Sequence, residues 1–261
     1  MTLKAALVFN TASHQVEWGA CMADGLARHG IKRAPVIEAD FAVCWGWRQA
    51  RNIVDTLPVL VMERGHLQPR EQWTSLGWNG IGKLAEYPTI QDGGARWNRH
   101  FAGYMKPWRR LGEYALILGQ VSGDLSLHGS DNRAWAQGVV NELILFGETE
   151  IVYRPHPLDG GWCPNGARLS RNGDLSEDLS RAYCAISYTS TAGVDAVLYG
   201  VSHVAGHPGS MAWPVSSHSL LDRCSRPDRE PWAHRLAWTC WTADEIRSGE
   251  AWEIVKTCME R

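Results

Sequence analysis

Short apolar runs alternate with longer amphipathic segments along most of the chain. Four runs before residue 65 have the length and composition of buried strands: "LKAALVF" (3–9), "APVIEA" (34–39), "FAVCWG" (41–46) and "PVLVME" (58–63). Residues 13–30 have helical periodicity and end at Gly30. This order of strand and helix predicts a parallel sheet covered by helices, with ligands at the carboxyl ends of the strands.

The same alternation resumes after residue 113. It predicts strands at 114–120, 150–154, 183–188 and 202–206, and helices at 132–147, 176–182, 191–200 and 242–260. Thr242 is a plausible N-cap of the last helix. Residues 65–113 lose the pattern in a stretch rich in Gly, Trp and charge, which we interpret as a functional loop or a domain connection. We therefore predict an N-terminal lobe (1–112), a C-terminal lobe (113–240) and a C-terminal helix (241–261) that could pack back on the first lobe.

Composition narrows the class of protein. With 261 residues and 44% hydrophobic content, the chain can bury a sizeable core. A formal net charge of -2 without a basic block does not favour nucleic acid or an anionic membrane, although a local basic patch stays possible. The chain has no signal-peptide pattern and no apolar stretch of the roughly 18 to 20 residues that a membrane span needs, so we expect a cytoplasmic protein. The seven cysteines lack a CxxC pair, which argues against a disulfide framework or a structural zinc site.

Polar groups gather at four predicted strand ends. In chain order they are Glu63, Arg64 and His66; Gln120, Ser122, Gly123 and Asp124; Arg154 and His156, the latter between two prolines; and Ser187, Thr189, Ser190 and Thr191. The last group precedes a predicted helix, whose free N–H groups and positive dipole end favour an anion. Taken singly, each motif has a simpler interpretation as a helix cap, a strand exit, a turn or a surface ion pair worth under about 1 kcal/mol. Their shared position at strand ends favours ligand binding.

With these motifs in view, the chain resembles the glycosyltransferases of capsular polysaccharide assembly, especially the Kdo-transferring type. More loosely, it resembles the bacterial sialyltransferases that share a His-Pro motif and a Ser/Thr-rich motif. The likeness lies in "LILGQVSGDLS", "VYRPHP", "TSTAGVDAVLYGVSHV" and the "ERG…TSLGWNG" segment. The chain also resembles short proteins of bacteriophage genomes, a resemblance that would allow a hydroxylated DNA base as the acceptor.

The resemblance implies an α/β fold of the GT-B kind, with two Rossmann-like lobes, parallel sheets and a cleft between them. It implies that His156 contacts the donor phosphate and helps the nucleotide leave, and that Glu63 is the candidate base. Asp195 would approach the ribose or cap its helix, and Asp124 would line the cleft with Gln120. The implied donor-binding set is Gln120, Ser122, Gly123, Arg154, Ser190, Thr191, Ala192, Gly193 and Asp195.

The chemistry of glycosyl transfer suits these residue types. Positive charge develops on the sugar and negative charge on the departing phosphate, so the site needs donors or cations at one end and a carboxylate at the other. Arg154 and His156 can serve the phosphate, and Glu63 can serve the acceptor. A histidine on the phosphate makes a metal unnecessary, and the chain lacks a DxD pair in a suitable loop. We therefore predict metal-independent transfer from a CMP- or UDP-linked sugar, with no cofactor, to a saccharide or to modified DNA.

One departure from the family pattern leaves the base open. The relatives carry two successive acidic residues before a glycine, the second being the favoured base, whereas this chain has Glu63-Arg64-Gly65. Either Glu63 or Asp124 has assumed that role, or Arg64 binds an anionic donor or acceptor. Arg64 in place of the second acidic residue is also consistent with a non-catalytic nucleotide- or sugar-binding module. The two-lobe architecture is also consistent with a nucleotide-sugar epimerase.

The "HVAGH" segment has the spacing of two metal ligands on a helix face. We predict a strand there instead, which disfavours a metal site at His203 and His207. The loop over residues 206–219 is expected to fold over the donor, with His207 and Trp213 as further site candidates.

Overall fold

The computed structural model describes residues 2–259, which form two compact units. The first unit runs up to Trp97 and includes the described residues from Ala233 onward, and the second is Asn98–Trp232. The chain thus leaves the first unit before the predicted boundary at 112 and returns to it before the predicted boundary at 240. It returns early because Cys240–Trp241 is itself a strand of the first unit's sheet.

The first unit contains a six-stranded sheet in the order β11-β5-β4-β3-β1-β2. Its strands are β1 (Lys4–Val8), β2 (Lys32–Arg33), β3 (Phe41–Trp45), β4 (Val59–Arg64), β5 (Thr74–Trp78) and β11 (Cys240–Trp241). The first four are parallel to one another, and β5 is antiparallel to both of its neighbours. Strands β1, β3 and β4 are apolar runs of the sequence because both of their faces are largely buried, whereas β2, at the edge of the sheet, is exposed.

Helices cover both faces of this sheet. The helices of this unit and its boundaries are α1 (Ser13–Arg28), α2 (Trp47–Ala50), α3 (Ala95–Phe101), α7 (Glu230–Ala237), α8 (Ala243–Ser248) and α9 (Glu250–Val255). On one face, α1, α8 and α9 bury Met22, Ile246 and Trp252 against Phe41 and Leu60. On the other face, the α2 region buries its apolar side chains against the alternate residues of β3 and β4.

The second unit contains a five-stranded sheet in which every strand is parallel to its neighbours, in the order β10-β9-β6-β7-β8. The strands are β6 (Tyr114–Leu118), β7 (Ile151–Arg154), β8 (Arg168–Leu169), β9 (Ala182–Ser187) and β10 (Ser202–Ala205). Helix α4 (Asn132–Leu145) packs on one face, and α5 (Leu175–Arg181) and α6 (Ala192–Tyr199) pack on the other. Each unit is therefore a Rossmann-like α/β layer structure.

Three sequence-based predictions of elements are wrong. Residues 34–39 are not a strand, because Pro35 has no N–H for a ladder and Ile37 is exposed; Val36–Glu38 is a 3₁₀ turn. The stretch from 65 to 113, predicted to be a loop or a domain connection, contains strand β5 and helix α3. The C-terminal helix is divided at Gly249, which has a φ of 85° and closes α8.

Two predictions about helix ends, at Thr242 and Gly30, are confirmed. Thr242 caps α8 in a full capping box with Glu245, and Gly30 follows α1 with a φ of 72°. All seven cysteines are free thiols, five of them buried. Over residues 2–259, no helix is both long enough and apolar enough to cross a membrane.

Candidate functional site

The second unit gathers most of the predicted site residues at one edge of its sheet. Because all five strands are parallel, the segments that follow β6, β7, β9 and β10 leave at the same edge. These segments carry residues 119–124, 155–156, 188–191 and 206–207. In open α/β sheets, this carboxyl edge is where ligands bind.

His156 follows β7 and is half-buried, and its ring orientation is set by the backbone. The N–H of Leu158 donates to Nδ1 at 3.2 Å, and the carbonyl of His156 accepts from the N–H of Asp159 at 2.9 Å. Since Nδ1 accepts, the proton of the neutral imidazole lies on Nε2. His156 can therefore present an N–H donor to a ligand without a change of tautomer.

The segment after β9 leads into α6, whose first residue is Ala192. The Ser190 hydroxyl oxygen accepts from the Ala192 N–H at 3.2 Å, so Ser190 caps the helix start. Its own O–H remains a donor in addition to this cap. Capping and anion binding are compatible here, because the cap leaves the positive end of the helix at the carboxyl edge. Asp195 lies in the first turn of the same helix.

In the loop after β6, Gln120 and Asp124 are both hydrogen-bonded within the second unit. Gln120 is buried, and its amide is bonded to Thr189 and Ser126: Nε2 donates to both hydroxyls, at 2.9 and 3.1 Å, and Oε1 accepts from the Thr189 N–H at 2.8 Å. This side chain joins the exits of β6 and β9. Asp124 is exposed, and its Oδ1 caps the turn Leu125–Leu127 through the Ser126 N–H at 2.8 Å.

Two further residues of this loop remain accessible. Ser122 is exposed and donates to Asp159 Oδ2 at 3.4 Å, which links the loops after β6 and β7. Gly123 has a φ of 78° in open space. That positive φ is the reason for a glycine at this turn.

Arg154, predicted to bind the donor phosphate, is engaged by groups of the second unit. Its guanidinium donates to Asp178 Oδ2 at 2.7 Å and to the carbonyls of Asn172 and Gly173, each at 3.0 Å. The Asp178 side chain is only 1% exposed, and it also accepts from the hydroxyl of Ser170. Arg154 therefore neutralises a buried carboxylate and holds the 172–173 turn.

Gly193 and His203 are explained by packing. A Cβ on Gly193 would lie 2.7 Å from the His203 imidazole and 2.9 Å from Ser187 Oγ. The His203 ring is bonded through Nε2 to Ser187 Oγ at 2.9 Å and through Nδ1 to Ser216 Oγ at 2.6 Å. Burial lowers the pKa of His203 to about 3, so the ring is neutral. The predicted strand at "HVAGH" is confirmed, and within residues 2–259 no cluster of three His, Cys, Asp or Glu side chains is arranged to hold a metal.

His207, after β10, belongs to a stack of rings that the sequence did not indicate. Its ring lies 4.5 Å from that of His128 and 5.2 Å from that of Tyr188, centroid to centroid. Trp213, in the following loop, stacks on His218 with centroids 3.4 Å apart. His128 and Tyr188 were missed because the three rings come from three separate loops, and no local motif connects them.

In the first unit, Glu63 and Arg64 end β4 and point to opposite faces. They pair in register with Ser75 and Thr74 of β5, respectively. Arg64 is exposed and Glu63 is half-buried. The Glu63 Oε1 atom lies 4.0 Å from the place where a Cβ on Gly46, at the end of β3, would stand. The carboxylate thus sits over the carboxyl ends of two parallel strands.

A buried polar pair adjoins Glu63. His66 Nε2 is bonded to the Tyr87 hydroxyl at 3.3 Å. Burial, assisted by the nearby Arg70, lowers the pKa of His66 to about 4, so this imidazole is neutral. Burial first, and then the negative charge of Glu63, raises the pKa of Tyr87. His66 and Tyr87 are therefore a neutral, hydrogen-bonded pair, and Tyr87 is close enough to feel the charge of Glu63.

Comparison with known proteins supports the fold. No family model and no curated protein sequence matches the chain. Among solved structures, it is similar to the β-Kdo 2,7 transferase of Thermosulfurimonas dismutans KpsC, with a TM-score of 0.61 and 13% identity over 95% of this chain and 98% of that one. It is also similar to the β-Kdo 2,4 transferase of the same KpsC, with a TM-score of 0.60 and 15% identity over 89% of both chains. The predicted fold class, two Rossmann-like lobes of the GT-B kind, is confirmed.

Proposed function

We propose that this protein is a glycosyltransferase that moves a sugar from a nucleotide-sugar donor to a hydroxyl acceptor. The observation that carries the proposal is the convergence of His156 and the start of α6 at the carboxyl edge of one parallel sheet. The edge offers an imidazole N–H and a serine hydroxyl beside a positive helix end. The GT-B fold supports the same function, since the two similar Thermosulfurimonas structures are Kdo transferases.

In this proposal, the second unit binds the donor through its phosphate. The Nε2–H of His156, the O–H of Ser190 and the N-terminal end of α6 with Thr191 stabilise the negative charge that grows as the nucleotide leaves. These donors belong to the protein, so the transfer is proposed to be metal-independent. Ser122 and Gly123, which are accessible on the neighbouring loop, and Asp195 complete the proposed donor site.

Glu63 is the proposed base that takes the proton of the acceptor hydroxyl. It is half-buried above two strand ends, where its carboxylate could accept the proton of an acceptor hydroxyl. Asp124 suits this role less well, because it is exposed and its Oδ1 is engaged in capping. The exposed Arg64 is available to an anionic group of the donor or acceptor. The acceptor is proposed to be a saccharide hydroxyl or the hydroxyl of a modified DNA base.

A panel of CMP- and UDP-linked sugars tests the proposal, with nucleotide release measured in the presence and absence of saccharide and hydroxymethylated DNA acceptors. We expect one donor to release its nucleotide in an acceptor-dependent reaction that persists in EDTA. Saturable nucleotide binding without turnover of any donor would indicate a binding module instead. A changed sugar on an intact nucleotide, formed without acceptor, would indicate an epimerase.

A further inference from the structure

Three aromatic rings from three loops form a stack at the carboxyl edge of the second unit. His128 comes from the segment after β6, Tyr188 directly follows β9, and His207 follows β10. The planes of His128 and His207 are inclined by 23°, and those of His207 and Tyr188 by 27°, so both contacts are face to face. His207 is the shared member of the two contacts.

The backbone of these loops is built around the stack. His128 has a φ of 50°, a left-handed conformation that non-glycine residues seldom adopt. A Cβ on Gly209 would lie 2.8 Å from His128 Nε2 and 3.1 Å from His207 Nδ1, so a larger residue there would displace both rings. The Gly209 N–H donates to His207 Nδ1 at 3.0 Å, which fixes that ring.

The two ends of the stack differ in accessibility. At one end, Tyr188 is covered by the edge of Trp135, with centroids 5.5 Å apart, and its hydroxyl is bonded to Ser130 Oγ at 2.6 Å. At the other end, His128 is exposed. Although the residue is exposed, partial desolvation, and secondarily the neighbouring His207, lower the pKa of His128, so its ring is uncharged at neutral pH. The stack therefore presents one open, neutral aromatic ring.

We propose that the exposed ring of His128 is the platform on which the base of the donor nucleotide stacks. This inference rests on the proposed function and assigns a subsite to it. The segment that carries His128 is tied to the proposed phosphate site: Thr189, next to Ser190, donates through Oγ1 to the carbonyl of Ser126 at 2.9 Å, and Ser126 lies two residues before His128. A nucleotide held at Ser190 by its phosphate would therefore have the His128 loop beside it. Stacking requires only the flat face of the base, so it suits a pyrimidine or a purine.

The test measures the affinities of CMP, UMP and ribose 5-phosphate for the full-length protein by calorimetry. We expect His128→Asn to lower the affinity for CMP and UMP by roughly tenfold or more, the usual effect of removing a stacking ring. The affinity for ribose 5-phosphate should not change. Asparagine tolerates the left-handed backbone, so the loop should persist. His128→Phe keeps a flat ring and should keep most of the affinity for CMP and UMP.

His14→Asn is the matched control, because His14 is another histidine whose ring contacts an aromatic side chain, Trp45 at 5.0 Å. It should bind all three ligands as the wild type does. If His128→Asn binds CMP and UMP as tightly as the wild type, the stacking role of His128 is overturned and the transferase proposal stands. The same conclusion follows if His128→Asn loses affinity for ribose 5-phosphate as much as for CMP and UMP. Failure of the wild type to bind any nucleotide would overturn the proposed function itself.

Discussion

Hydrogen-bond partners separate the residues at the strand exits of the second unit into two groups. Gln120 and Arg154 use their donors on other parts of the protein, namely Thr189, Ser126 and Asp178. His156 and Ser190 use one acceptor each on a neighbouring N–H and retain a hydrogen-bond donor. Only His156 and Ser190 keep a hydrogen-bond donor that could stabilise the charge on a departing phosphate.

His156→Ala should lower the rate of sugar transfer by about two orders of magnitude, as expected when one preorganised donor to the leaving phosphate is lost. The residue is only half-buried, so the thermal unfolding temperature should change little. His156→Gln, which can offer an amide N–H, should recover part of the rate. Transfer by His156→Ala at the wild-type rate would remove this residue from the mechanism.

Glu63→Gln should reduce turnover by about a hundredfold or more while donor affinity is retained, because an amide cannot take the acceptor's proton. Steady-state rates and donor titrations on the same preparation separate the two effects. Glu86→Gln is the control, since Glu86 is an exposed carboxylate of the same unit. A loss of donor affinity without a loss of turnover would assign Glu63 to the donor site instead.

Arg154→Met should destabilise the protein by about 3–5 kcal/mol, because it leaves the Asp178 carboxylate, 1% exposed, without its cation. Urea unfolding measures the loss. Arg181→Ala removes a guanidinium from an exposed pair with Glu113 and should leave the free energy of unfolding nearly unchanged. If Arg154→Met is as stable as the wild type but binds nucleotide weakly, Arg154 would be assigned to donor binding instead.

At the scale of elements, the packing of α6 on the sheet depends on one glycine. Gly193 faces the imidazole of His203, and that ring is held on both sides by Ser187 and Ser216. A side chain at this position cannot be accommodated by rotation of a flexible neighbour. The start of α6, and with it Ser190 and Thr191 directly before the helix, is therefore positioned by this contact.

Gly193→Ala should destabilise the second unit by about 1–3 kcal/mol, as overpacking of a buried site does. Gly138→Ala is the matched substitution in helix α4, where a Cβ would meet nothing within 4 Å. It should stabilise the protein by about 0.5–1 kcal/mol, since alanine favours the helix. Chemical unfolding of both variants measures the contrast. Equal effects at the two positions would refute the packing account.

At the scale of the whole molecule, the two units differ in how the chain builds them. The second unit is one continuous stretch with its own sheet and both of its covering helical layers. The first unit is assembled from two stretches. Arg96 joins them: its guanidinium donates to both Glu245 oxygens and to the carbonyls of Ala237 and Cys240.

A fragment of residues 98–232 should therefore fold alone and unfold cooperatively, whereas residues 1–97 without 233–261 should not. Removing the C-terminal stretch exposes the apolar faces of α1 and β3 that α8 and α9 cover, and it leaves β5 unpaired at one edge. Circular dichroism and thermal unfolding of the two fragments check this. A cooperative transition in the 1–97 fragment would contradict it.

The sequence alone determined the elements whose signals are local. Parallel strands buried on both faces appear as apolar runs, so β1, β3, β4, β6, β7, β9 and β10 were predictable, and with them the α/β class. Caps are equally local, as at Thr242. Strand β5 was not predicted from the sequence, because it is a short antiparallel strand that contains a glycine and lies in a stretch with no periodicity.

Only the tertiary structure decided which polar residues are available for chemistry. Arg154 pairs with Asp178, Gly193 packs against His203, and His128 stacks on His207. The members of each pair are not neighbours in sequence, and no periodicity of the sequence predicts these contacts. The boundaries of the units were decided in the same way, by the pairing of β11 with β5. Local patterns report burial and backbone conformation, whereas the freedom of a side chain depends on distant partners that folding brings together.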